Sequence, residues 1–523
     1  MKKIDKRKIF LVIIIILILI VIALFIGKFT FSYLAPDISE DINSKGEVTA
    51  SGDTIIFNNG KALTLSATTD NFTTGGTNLT STTNPTAKLV ASSKTNKADS
   101  TYYVGVYIKN NTYTYSTTAK TPEIILTIKD EKGNNVTSVE GLTYTTSGGV
   151  SGFDVTDKTG LFNVKTDYPI TTTSSTTGTT HTWTFTLTFV NLSTDQSVNE
   201  NANMNLDVYL QKKAFPSTVA DVCSGGETLA SCVTSLKQKD ALGISNIYYH
   251  DANLTNGAGD NSYRYAGANP NNFVCFGTNT TPCPTDNLYR IIGVFGNQVK
   301  LIKYDYATSA LLGTDGDYKG TGTPNASYYK GELTTINRYY WNNSTKKNTW
   351  SESELNKTNL NTNFITNIGT EWAAKIAETT WKVGGNTWAN IGTQPAKTAY
   401  QNEIVSPVTT NTTDGKTECS VKIGLMYASD YGFAAAQSAW TANLNTYNGE
   451  TIKNVNWMYM GFYDWTISRS ADGSNDAFSV NNGGDVRSYN VYSHDAVRPS
   501  FSLLSSTTYV SGSGSASDPM VIN

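Results

Sequence analysis

Nineteen consecutive uncharged residues, Ile9 to Gly27 (IFLVIIIILILIVIALFIG), constrain this chain more than any other feature. As a helix rising 1.5 Å per residue the run is about 28 Å long, close to the roughly 30 Å hydrocarbon core of a bilayer. Lys2, Lys3, Lys6, Arg7 and Lys8 precede it, and the bias of basic residues toward the cytoplasm places everything after Lys28 outside. A secretory signal has a shorter apolar region, of about 7 to 15 residues, and ends at a small-x-small site. Here the following segment offers only Ser32, Leu34 and Ala35. The expectation is an uncleaved, single-pass transmembrane helix with the bulk of the chain extracellular, since no second run of spanning length follows.

The remaining residues divide by pattern. Residues 1–36 form the basic end and anchor, and 37–50 a polar stalk. Over 51–212 short alternating segments such as Tyr103–Lys109, Glu123–Lys129, Thr182–Val190 and Asn205–Gln211 are separated by turn residues, which predicts an all-β sandwich acting as a spacer. The 171–180 tract, TTTSSTTGTT, reads as a loop or polar strand edge. A Pro216 break and a short helical pattern ending at Gly243 give a linker over 213–245. The domain 246–523 holds eight of the nine tryptophans. It mixes a hairpin (288–295 and 298–304 about Gly296-Asn297) with helical patterns at 351–368 and 430–440 and strands at 464–467, 477–480 and 496–504, so it is read as α+β.

Charge and histidine content exclude several functions. Lysine plus arginine number 40 against 43 acids, which argues against a nucleic-acid partner. Charged residues are 16%, below the roughly 25% of ordinary soluble chains. Only His181, His250 and His494 are present, which leaves few candidates for a histidine base or a multi-histidine metal site. No spacing selects a carboxylate pair or a nucleophile with its base, so no catalytic residue, cofactor or metal is expected and the chain is not read as an enzyme. Asp315–Gly320 lacks the ligand pattern of a calcium loop. Five cysteines occur. Local pairing of Cys223 with Cys232 and of Cys275 with Cys283 suits an exported chain, with Cys419 left over.

The densest chemistry lies between Asn456 and Leu503. Trp457, Tyr459, Phe462 and Trp465 supply flat faces, with Trp457 and Trp465 expected in the core. Asn475, Asn481, Asp485, Arg487, Tyr489, Tyr492 and His494 supply amide, acid, guanidinium, hydroxyl and imidazole groups suited to a glycan or protein ligand. Arg498, before Pro499, is expected to pair with a buried acid.

The motifs WTISRSADGSNDAFSVNNGGDV, AVRPSFSL and GSGSASDPMVIN, with LYRIIGVFGNQVKLIKY and GLMYASDYGF, resemble the C-terminal domain of membrane-anchored Firmicutes surface proteins. Their layout is similar to the formylglycine-generating enzyme and C-type-lectin-like superfamily, with the Gly-Phe-Arg ending replaced by Ala496-Val497-Arg498-Pro499. The resemblance implies a lectin-like domain in which Arg498 is structural and 475–494 is the display surface. The cysteine pair of the enzymatic members has no counterpart after Cys419, so catalysis is not implied. Residues 50–212 resemble camelysin and biofilm matrix-fibre sandwiches in composition and strand pattern, which implies, as the alternative to an adhesion or ligand-binding protein, a structural matrix component.

Overall fold

A computed structural model describes residues 46–50, 52–68, 76–386, 394–408 and 416–523. The anchor at 9–27 and most of the stalk lie outside them, and among the described residues no helix is long and apolar enough to cross a membrane. The chain is mostly β-sheet with few, short helices, and it divides into two compact units at Ala214/Phe215.

The first unit is built from antiparallel sheets. The 14-residue strand Ala98–Asn111 pairs on one side with Gly160–Thr172 and on the other with Asn203–Gln211. A five-stranded sheet centres on Thr184–Phe189 and Ile124–Lys129. Period-two alternation sends Phe185, Leu187, Ile124, Leu126 and Ile128 into one core with Val104, Val106 and Leu206. Trp183, fully buried, needs an acceptor for its indole N–H, and Tyr102 Oη supplies it at 2.8 Å. The buried Glu123 carboxylate is satisfied by the Gln196 and Asn199 amides at 2.7 and 2.9 Å. The Thr/Ser tract begins at the end of Gly160–Thr172 and enters the short strand Thr179–Thr182, with a loop between.

The second unit begins earlier than the sequence pattern places it. Residues 213–245, read above as a linker, include the helix Leu229–Lys239, whose Leu229, Cys232, Val233 and Leu236 are in the unit's core. A short amphipathic helix flanked by polar turns has the composition of a linker, and only its tertiary partners reveal it as part of the core. The central sheet contains the hairpin Leu288–Phe295 and Gln298–Lys303. Its turn is made by Gly296, at φ 62°, and Asn297.

Two predicted elements differ from their patterns. Residues 351–368, expected to be an α-helix, contain a ten-residue π-helix, Leu355–Phe364. Side-chain amides stitch the wider turn: Asn361 Nδ2 donates to the Asn356 carbonyl five residues back and to the Ile423 carbonyl, each at 3.0 Å. The strand expected over 496–504 shrinks to Ser500–Ser502, paired with Gln298–Lys303 and Ile423–Gly424. Pro499 has no N–H for a ladder, and the residues before it turn Arg498 inward.

Candidate ligand-binding surface

A dry frame underlies the 456–503 segment. Trp465 is fully buried and donates its indole N–H to the Tyr339 carbonyl at 2.8 Å. Trp457 is also buried and donates to the Tyr265 carbonyl at 2.9 Å. Arg498 Nε lies 2.6 Å from Asp464 Oδ2, and its guanidinium also reaches the Met458 carbonyl at 2.8 Å. A second buried cluster places Asp430 between Lys300, at 2.6 Å, and Arg264, at 3.3 Å. Removing either charge of such a pair strands its partner in a low dielectric, so these residues hold the domain together and are not open to a ligand.

On this frame the strands Asp464–Ser470, Asp476–Val480 and Val486–Asn490 run antiparallel, with the last at the edge of its sheet. The turn is tied by Asn481 N–H to the Asp485 carbonyl at 2.7 Å, and Tyr431 Oη donates to the Gly484 carbonyl at 2.6 Å. Asp485 itself is buried and its carboxylate receives Arg487 Nε. It therefore orients an arginine whose side chain is 57% exposed. That contact raises the Arg487 pKa, chiefly through the hydrogen bond to Asp485. Tyr489, half-buried, meets Tyr463 edge-to-face at 5.9 Å. Asn475 Nδ2 donates to Asn490 Oδ1 at 3.2 Å across the mouth of the hairpin, whereas Asn481 Oδ1 is buried and has no hydrogen-bond partner among the described residues.

Tyr492 and His494 belong to a neighbouring group. His494–Asp495 pairs with Ile336–Tyr340, which pairs with Tyr318–Gly322. Alternation puts Tyr339 and Asp495 inside and Arg338, Tyr340 and His494 toward solvent. The Tyr340 and His494 rings meet edge-to-face at 6.1 Å. Tyr492 is 40% exposed, with Lys346 Nζ 5.7 Å from its ring centre. The seven sequence-selected residues thus fall into two groups: Asn475, Asn481, Asp485, Arg487 and Tyr489 on the hairpin, and Tyr492 and His494 beside the three-stranded sheet. Sequence reasoning missed Lys319, Arg338, Tyr340 and Tyr463. The available signal was the alternation of Asn337-Arg338-Tyr339-Tyr340, overlooked beside the richer polar run near the C-terminus.

The predicted disulfides are both present, Cys223–Cys232 and Cys275–Cys283. Among the described residues Cys223, Glu227 and Cys232 are grouped closely enough for a metal, but their two sulfurs are bonded to each other and offer no thiolate. Cys419 is a half-buried free thiol opposite Trp381, and burial raises its pKa. A nucleophilic cysteine has the opposite shift.

The family described as a domain of unknown function (DUF6273) matches residues 297–505, a stretch that contains the strands Asp476–Val480 and Val486–Asn490, the three-stranded sheet and Arg498. No curated protein and no solved structure matches the chain.

Proposed function

We propose that the chain is a bacterial cell-surface protein, anchored by residues 9–27 with its bulk outside, in which a β-sandwich first unit spaces a lectin-like second unit from the membrane for adhesion or ligand binding. The reading rests above all on Arg487, Tyr489, Tyr492 and His494: they reach solvent from two short strands and the turn between them, on a buried, tryptophan-rich frame. Rigid aromatic and polar groups on a preorganised support suit recognition of sugars or peptides at low entropic cost. The two disulfides fit an oxidising exterior.

A fibre-forming role would draw on strand addition at the first unit's edges. The long edge strand Gly160–Thr172 is poorly suited to it: two register shifts interrupt its pairing, and Lys165 and Pro169 are exposed along it. The full chain in detergent, applied to arrays of glycans and of surface proteins, tests the binding role. Capture is expected, and Tyr492→Ala, at an exposed ring, is expected to weaken it without changing the melting temperature, whereas Arg487→Ala is expected to lower the melting temperature as well because it leaves the buried Asp485 without its cation. Silence across both arrays, with filaments visible by electron microscopy, favours the matrix role.

A further inference from the structure

The solvent face of the three strands Tyr318–Gly322, Ile336–Tyr340 and His494–Asp495 carries one sign of charge. Lys319 and Thr321 are exposed on the first strand, Arg338 and Tyr340 face outward on the second, and His494 on the third. Lys319 Nζ is 6.0 Å from the Tyr340 ring centre. Beyond His494, the exposed Lys346 lies over Tyr492.

The acids near this face are turned away from it. Asp317 is buried, where its carboxylate accepts the backbone N–H groups of Asn343 and Leu355 at 3.0 and 2.9 Å. Asp495, on the third strand, points inward and is 5% exposed. His494 accordingly has a lowered pKa, through partial burial first and then through repulsion from Arg338 and Lys319, with no acid acting on it in the other direction. In an ion-pair network an imidazole beside fixed charges gains an opposite charge and its pKa rises. Among the described residues the acid that acts on these cations is the buried Asp495, which reaches Arg338 from the inner side of the sheet, so the outward face keeps a repulsion that an incoming anion relieves. Two tyrosine rings, Tyr340 and Tyr492, stand among them at the surface, and flat rings beside charge suit a chain of sugar rings bearing acidic groups.

We propose that this face binds an acidic polysaccharide, with Lys319, Arg338 and Lys346 taking its anionic groups and Tyr340 and Tyr492 its sugar rings. The proposal rests on the ligand-binding reading above and names the ligand class of that domain. His494 sits inside the contact and reports on it.

The test uses the full chain in detergent micelles, 13C-labelled at its three histidines, titrated with alginate oligosaccharide, a uronic-acid polymer. Two histidines serve as internal controls: His250 is fully buried, with its pKa held near 3 by burial, and His181 belongs to the first unit. Alginate is expected to raise the His494 pKa and leave the other two unmoved, and its affinity is expected to fall with added salt. The Lys319→Gln/Arg338→Gln variant is expected to bind about tenfold more weakly, a change of about 1.4 kcal/mol, with an unchanged melting temperature. Tyr340→Ala tests the ring contribution and is expected to weaken binding, with the His494 pKa of the free protein moving upward as the ring packed against it is removed. Neutral dextran binding as well as alginate, duplex DNA competing on equal terms, or binding indifferent to the double variant would each overturn the proposal while leaving a ligand-binding domain intact. Silence toward every glycan and protein on the arrays removes that wider reading as well.

Discussion

Asp495 carries a carboxyl into the interior one residue from a solvent-facing imidazole. Burial, reinforced by the neighbouring Asp464, pushes its pKa up to about 7, although Ser479 donates to it. In an unfolded chain an aspartate titrates near about 3.9, so between those values the folded chain holds a proton that the unfolded chain has lost. The stability this group contributes is therefore complete below about pH 4 and is lost as pH rises through about 7. Glu403, fully buried and likewise raised to about 7 by burial, acts in the same direction. Urea titrations of the wild type and Asp495→Asn at pH 4 and pH 8 should show the variant gaining relative to wild type at the higher pH. An equal midpoint difference at both pH values would count against this assignment. At Arg498 the expectation is loss: Arg498→Met leaves Asp464 buried and unpaired and should cost about 3 to 5 kcal/mol at pH 8, measurable by the same titrations.

The loop from Cys275 to Cys283 lies between the strand Phe273–Cys275 and the hairpin that starts at Leu288. Closing so short a loop removes unfolded-state entropy worth about 2 to 3 kcal/mol. Replacing both cysteines by serine should lower the melting temperature of the second unit by several degrees, by about 2 °C or more per kcal/mol in a domain of this size. At this scale the sequence was most informative where the pattern is local. The Gly296-Asn297 hairpin and the short-range cysteine pairs were legible because neighbouring residues determine them. The helix Leu229–Lys239 was not recognised as core, because its polar flanks look like a tether and its partners are remote in sequence. The π-helix was read as an α-helix because Leu355, Leu360 and Phe364, which bury its inner face, lie close to helical spacing, while the asparagine amides that bridge its wider turn follow no period. In the candidate site, Tyr489, Tyr492 and His494 were selected by the density of polar and aromatic groups around them, and all three are at least partly open to solvent. The burial of Asp485 and the outward face of Arg338 and Tyr340 emerge only when strands distant in sequence are set side by side.

Each unit has its own apolar core, one drawn entirely from residues before Ala214 and the other entirely from residues after it. Scanning calorimetry of the full chain should therefore resolve two transitions, and only the one belonging to the second unit should shift when reductant is added. The anchor expected from the sequence has its own test. Protease added to intact cells should degrade the chain, and fractionation should recover it with membranes. Intact polypeptide in the cytosolic fraction after such treatment would remove the surface-display role. All five cysteines follow the boundary at Ala214/Phe215, so the half nearer the N-terminus can mature wherever it emerges, while the distal half waits for an oxidant. A chain retained among cytosolic thiols would be finished at one end and unsealed at the other, and the part carrying the proposed binding face would be the first exposed to quality-control proteases.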